Sequence, residues 1–115
     1  MKNIRINLTQ HIATAEQSCL EPENKILVQS LLTFESLPSK DEIKDRATAL
    51  ACIAKEVGAT QAMIGGAPYL MSALERELHR FGITPVYAFS QRVCMEDPKT
   101  GVKNSVFKHL GFIEV

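Results

Sequence analysis

No charge of either sign dominates this chain. Its 115 residues carry thirteen basic and thirteen acidic side chains, which removes the overall field that a duplex-coating protein or a polybasic membrane binder relies on. Any anion site must therefore be local, and neither long nucleic acid nor a membrane is an expected partner. Cysteine is sparse. Cys19, Cys52 and Cys94 are an odd number without C-x-x-C spacing, so no disulfide framework is indicated. No apolar run has the length of a membrane span or the form of a signal-peptide core, and the expectation is a cytoplasmic protein with reduced thiols serving as small buried hydrophobes. Internal repeats and low-complexity tracts are missing. Metal-ligand spacing is missing too: His11, His79 and His109 are scattered without H-x-x-x-H and without a carboxylate cluster, so neither metal nor cofactor is expected. Ser90 lacks the G-x-S-x-G elbow of hydrolases.

What the chain does have is the material of one α/β domain. It is 45% hydrophobic and 23% charged, the composition of a soluble globular unit, and its length leaves no room for a second. Residues 61–92 read as a βαβ unit. Gln61-Ala62-Met63-Ile64 is too short for a helix and stops at Gly65-Gly66, where backbone without a Cβ can approach a ligand. Pro68 suits a first helical turn, and Leu70, Leu74, Leu78 and Phe81 then recur at spacings of four and three as one apolar stripe, with Glu75, Arg76, His79 and Arg80 on other faces. Gly82 stops the helix. Ile83 to Phe89 reads as a buried parallel strand ending in the polar triplet Ser90-Gln91-Arg92, and ligands collect at the carboxyl ends of such strands.

Earlier in the chain, Ile4, Ile6 and Leu8 alternate with polar residues, predicting a first strand over 3–8. Thr9-Gln10-His11 follows directly, a second polar triplet that faces the same crevice if the strands are parallel neighbours; otherwise Thr9 caps the next helix and His11 is merely exposed. A short capped helix is expected near Thr14–Gln17 and another over 22–32, neither with chemical character. Ser39 and Glu42 form an S-x-x-E box opening the longest helix, over 40–57, with Ile43, Ala47, Leu50, Ala54 and Val57 as its buried stripe and Gly58 closing it. Asp97-Pro98-Lys99-Thr100-Gly101 signals a hairpin joining 92–95 with 102–107, and 110–115 suits an edge strand or a dimer strand.

The candidate site residues are few. They are Thr9, Gln10 and His11; Gly65, Gly66, Ala67 and Tyr69; Ser90, Gln91 and Arg92; and Asn104, Ser105, Lys108 and His109. A glycine pair before a helix offers amide groups and the positive end of the helix dipole to a phosphate, or serves only as a tight turn. It is neither a Walker loop nor a complete G-x-G-x-x-G. Lys108 and His109 point in opposite directions if they lie on a strand, so only one of them can face a given site.

The run Pro85-Val86-Tyr87-Ala88, then Arg92, then Lys103-Asn104-Ser105-Val106-Phe107-Lys108-His109 and Phe112 resembles the small stand-alone CARF-like CRISPR-associated ring nucleases. The opening Asn-Leu-Thr-Gln-His is similar more loosely, and Met63 to Tyr69 fits the strand-loop-helix position without matching in residues. The resemblance implies a Rossmann-like, mostly parallel sheet flanked by helices with a C-terminal β-hairpin, in a homodimer. It also implies an enzyme of type III CRISPR immunity that binds and cleaves cyclic oligoadenylate, cyclic tetra-adenylate first among its ligands. Such a ring opens without metal when its own 2′-hydroxyl attacks the adjacent phosphate. The protein then supplies proton transfer and charge, roles that His11, Arg92, Lys108 and His109 suit by residue type. A non-catalytic sensor or sponge of the same fold, and an interaction module without a nucleotide ligand, are the alternatives.

Overall fold

In a computed structural model, which describes residues 3–115, the chain forms a four-stranded open mixed sheet with three helices. Strand β1 is Arg5–Leu8, followed by a 3₁₀ turn at Ala15–Gln17, helix α1 at Lys25–Leu32 and helix α2 at Lys40–Glu56. Strand β2 is Gln61–Ile64, helix α3 Pro68–Arg80, and strands β3 and β4 are Thr84–Glu96 and Lys103–Glu114. The sheet order is β1-β2-β3-β4; the first three strands are parallel and β4 runs antiparallel to β3.

Local chemistry explains the helices. Ser39 Oγ accepts the Glu42 amide at the start of α2, while the Glu42 carboxylate, instead of closing a capping box, takes the Arg46 guanidinium at 2.9 Å. In α1 the N-cap is Asn24, whose side chain accepts the Leu27 amide, so that helix begins three residues later than Pro22 suggested. Leu70, Leu74 and Leu78 are completely buried, as their spacing predicts, and Ala47, Leu50 and Ala54 of α2 face the same core. Of the rest of that stripe, Ile43 is partly buried and Val57 is 37% exposed. Each fully buried large aliphatic side chain contributes about 1.5–3 kcal/mol. Glu75 accepts the Tyr87 hydroxyl at 2.6 Å, linking α3 to β3. Burial, and then this carboxylate, push the Tyr87 phenol far above its ordinary pKa.

Two parallel crossovers stepping the same way along the sheet, each right-handed, place their helices on one face. Ile6, Leu8, Ala62 and Ile64 meet the helices there. Asn7 and Met63, in register with each other, belong to the opposite face and are buried as well. Part of that cover is the segment after β1, where Cys19 Sγ lies 3.9 Å from Met63 Sδ and Leu20 bridges the free edge of β1. The strand order has no reversal, so the crevice expected of a doubly wound sheet does not arise that way.

The largest departure from expectation lies in β3. It does not end near Phe89. Pairing with β2 stops at Val86, yet β3 runs on to Glu96 with β4 beside it. Ser90, Gln91 and Arg92 therefore sit within a strand rather than beyond its carboxyl end, and 110–115 continues β4 instead of forming a strand of its own. The segment from Tyr87 to Glu96 spans about 33 Å at roughly 3.3 Å per residue. The hairpin turn is tied by the Lys99 amide to Asp97 Oδ1 at 2.9 Å, and Gly101 takes φ 70° there. The ribbon makes the molecule elongated: its radius of gyration is 16.4 Å, where a compact chain of this length has about 13 Å. Cys94, expected to be buried, is exposed on this ribbon.

Candidate functional site

A cleft of about 730 Å³ opens at the carboxyl ends of β1 and β2, beside Tyr87 and Ala88 in the first half of β3. Because β1 and β2 are parallel and end together at Leu8 and Ile64, the segments that follow them meet: Thr9, Gln10 and His11 from one, Gly65, Gly66 and Ala67 from the other, with Met63, Tyr87 and Ala88 behind. The two groups chosen separately from the sequence thus share one cavity. Gly66 takes φ 154°, a conformation that side chains rarely adopt, whereas Gly65 does not, and a Cβ built on Gly65 meets only Thr9 Cγ2 at 3.8 Å. No side chain caps α3, so the positive end of its dipole remains at the rim.

Within the triplet the roles divide. The Thr9 hydroxyl donates to Asn7 Oδ1 at 2.6 Å, and Gln10 Nε2 donates to Thr33 Oγ1 at 3.1 Å. Thr9 therefore does not cap a helix. His11 enters the network through its carbonyl, which accepts from Asn7 and Lys25, while its exposed imidazole stands at the cleft. Among the described residues, neither Lys nor Arg lines the cavity. The nearby Lys25 is committed: its ammonium donates to Thr9 O at 2.7 Å and His11 O at 2.9 Å, and pairs with Glu21 at 3.3 Å.

The remaining candidates lie outside the cleft lining. Tyr69 is half exposed and meets Phe34 edge to face, centroids 5.4 Å apart. The others are on the ribbon, and the register decides their faces. Ser90 pairs with His109, Arg92 with Phe107, and Cys94 with Ser105; alternation puts these on the face of Met63 and Ala88. Gln91 pairs with Lys108, and these two, with Asn104, belong to the other face. Of the two neighbours Lys108 and His109, it is His109 that shares a face with Arg92. His109 is half-buried, edge to face with Phe112 at 4.9 Å, and its Nδ1 is buried without a hydrogen-bond partner. Arg5 covers Phe112 at 3.9 Å. Among the described residues, no ion pair involves Arg92, Lys99, Lys103 or Lys108.

Sequence reasoning missed the residues that shape the cleft from below. Asn7, one of the polar positions in the alternation of the first strand, is completely buried; Lys25 lay in a helix read as without chemical character, and Glu21 just before it was not singled out. Their one signal was opposite charge four residues apart. Burial raises the Glu21 pKa, but bonds from the Ala13 amide, Asn7 and Lys25 outweigh it and hold the carboxyl below its ordinary range. Burial, the largest influence on it, pushes the Cys19 thiol up, which keeps it protonated.

No curated protein and no solved structure matches the chain. One family model does, over residues 3–113, nearly the whole length, and the chain accordingly belongs to the Uncharacterized protein MJ1673 family.

Proposed function

We propose that this chain is a CARF-like ring nuclease with a Rossmann-like sheet, working in the cytoplasm as a homodimer that opens cyclic oligoadenylate without metal and so switches off type III CRISPR signalling. The observation that carries the reading is the meeting of Thr9-Gln10-His11 with Gly65-Gly66-Ala67 in one cleft, beside a ribbon face bearing Ser90, Arg92 and His109. A cavity of this size suits one or two nucleotides of a ring. Two copies about a two-fold axis offer a symmetric ring two equivalent clefts.

In the chemistry proposed, a ribose 2′-oxygen bonds to the adjacent phosphorus and the bond from phosphorus to the 5′-oxygen breaks. His11 takes the hydroxyl proton, and the leaving 5′-oxygen receives one. Negative charge grows on the phosphate. The start of α3 and Arg92 oppose it, with Lys108 and His109 as further candidates on the two ribbon faces. A non-catalytic sensor or sponge is favoured by one observation, that among the described residues of a single chain no Lys or Arg lines the cleft. Incubation with cyclic tetra-adenylate in EDTA separates the readings. Linear product supports the enzyme, retention without cleavage supports the sensor, and neither supports an interaction module.

A further inference from the structure

The loop that carries His11 is not held by the backbone. Among the described residues, no turn or loop backbone hydrogen bond involves residues 9–13, yet five of their backbone groups are held by side chains. Asn7 Oδ1 accepts the Thr9 amide at 2.9 Å, and Asn7 Nδ2 donates to His11 O at 2.6 Å and to both Glu21 oxygens at 3.0 Å. Glu21 Oε2 accepts the Ala13 amide at 3.0 Å. Lys25 reaches the Thr9 and His11 carbonyls and returns to Glu21. Gln29 Nε2 donates to Gln10 O at 3.0 Å.

We propose that Asn7, Glu21 and Lys25 form a positioning clamp that sets the 9–13 loop and so aims His11 into the cleft. Each member has a distinct task. Asn7, completely buried on the sheet, ties the loop to β1. Lys25, at the first position of α1, uses three donors on three acceptors and pins the loop by two of its carbonyls, those of Thr9 and His11. Glu21 neutralises Lys25 and fixes the loop's far end at Ala13. The arrangement occupies the carbonyls of Thr9, Gln10 and His11 and the amides of Thr9 and Ala13, and leaves the imidazole free to face a ligand. A partly buried network of this kind rigidifies a loop when its members are all present, so loss of one member frees the loop. What His11 does there rests on the ring-nuclease reading; the clamp itself does not.

The test uses the full chain with Glu21→Gln and Lys25→Met, and with Lys25→Arg as the conservative variant. Circular dichroism checks folding, and Glu21→Gln, the milder change, carries the test if Lys25→Met does not fold. Without ligand, the Ala13 amide should exchange slowly in the parent and much faster in Glu21→Gln; unchanged exchange overturns the clamp. With cyclic tetra-adenylate, a misplaced His11 should lower the single-turnover rate about ten- to hundredfold while the dissociation constant holds, because a displacement near 1 Å costs that much. Lys25→Arg should recover part of the rate. A freed loop with an unchanged rate overturns the positioning role. If the parent binds the ring but does not open it, or does neither, the functional reading fails, and Ala13 exchange alone decides for or against the clamp.

Discussion

The two glycines at the cleft are glycine for different reasons. At Gly66 the φ of 154° already requires it, so a substitution strains the backbone by about 1–3 kcal/mol whatever the ligand does. Gly65 has ordinary φ and room for a side chain. Gly65→Val should therefore leave the melting temperature nearly unchanged and weaken ligand binding, measured by calorimetry. Equal affinity in a folded variant would make the pair a turn and nothing more. Glu21 has its own signature. Its pKa is lowered by folding, so its contribution to stability is complete above the ordinary carboxyl pKa of 4.5 and is lost as pH falls through the lowered value. Thermal unfolding should show the parent more stable than Glu21→Gln at pH 7, with the gap closing on acidification below about 4.5. A gap that stays constant to pH 2 would contradict this.

At the level of elements, the ribbon formed by β3 and β4 makes a prediction that the core does not. A two-stranded ribbon alone in water is marginal, and this one exposes Phe107 at 73% and leaves Phe89, Leu110 and Ile113 half exposed. β4 also offers an unpaired edge, which natural sheets cover or charge. A second copy is the proposed cover. Phe107→Ser with Leu110→Ser should leave the helical signal intact and shift the sedimenting species from dimer toward monomer at micromolar concentration. A parent that sediments as a monomer, with and without cyclic tetra-adenylate, would refute the dimer. The ribbon was also where the sequence was least legible. Leu70, Leu74 and Leu78 announced α3, and Gly65-Gly66 and Gly82 marked its borders, because periodicity and φ requirements are local. The length of β3 is set by pairing with β4, a contact between distant residues, and nothing near Phe89 states that the strand continues. The convergence of residues 9–11 with 65–67 was readable only as a condition on strand pairing, which β1 and β2 meet. The clamp was not readable, since Asn7, Glu21 and Lys25 make one network only after folding.

For the whole molecule, the candidate site divides, among the described residues, between a cleft that has a histidine and no Lys or Arg and a ribbon that has cations and no ion pairs. That division gives Arg92 a separable part. Arg92→Ala should weaken binding and slow cleavage together, and Arg92→Lys should recover some of both, since a point charge replaces a planar fork. The reading as a whole turns on His11, the titratable group that the cleft presents without a committed side-chain partner. The most direct test is single-turnover opening of cyclic tetra-adenylate in EDTA by the parent and by His11→Ala, with the dissociation constant measured on both. The account predicts linear product from the parent and a rate lower by about a hundredfold or more in the variant at nearly unchanged affinity. No product from the parent, or a folded variant that cleaves within about threefold of it, would contradict the account, because proton transfer by a positioned histidine is worth far more than that.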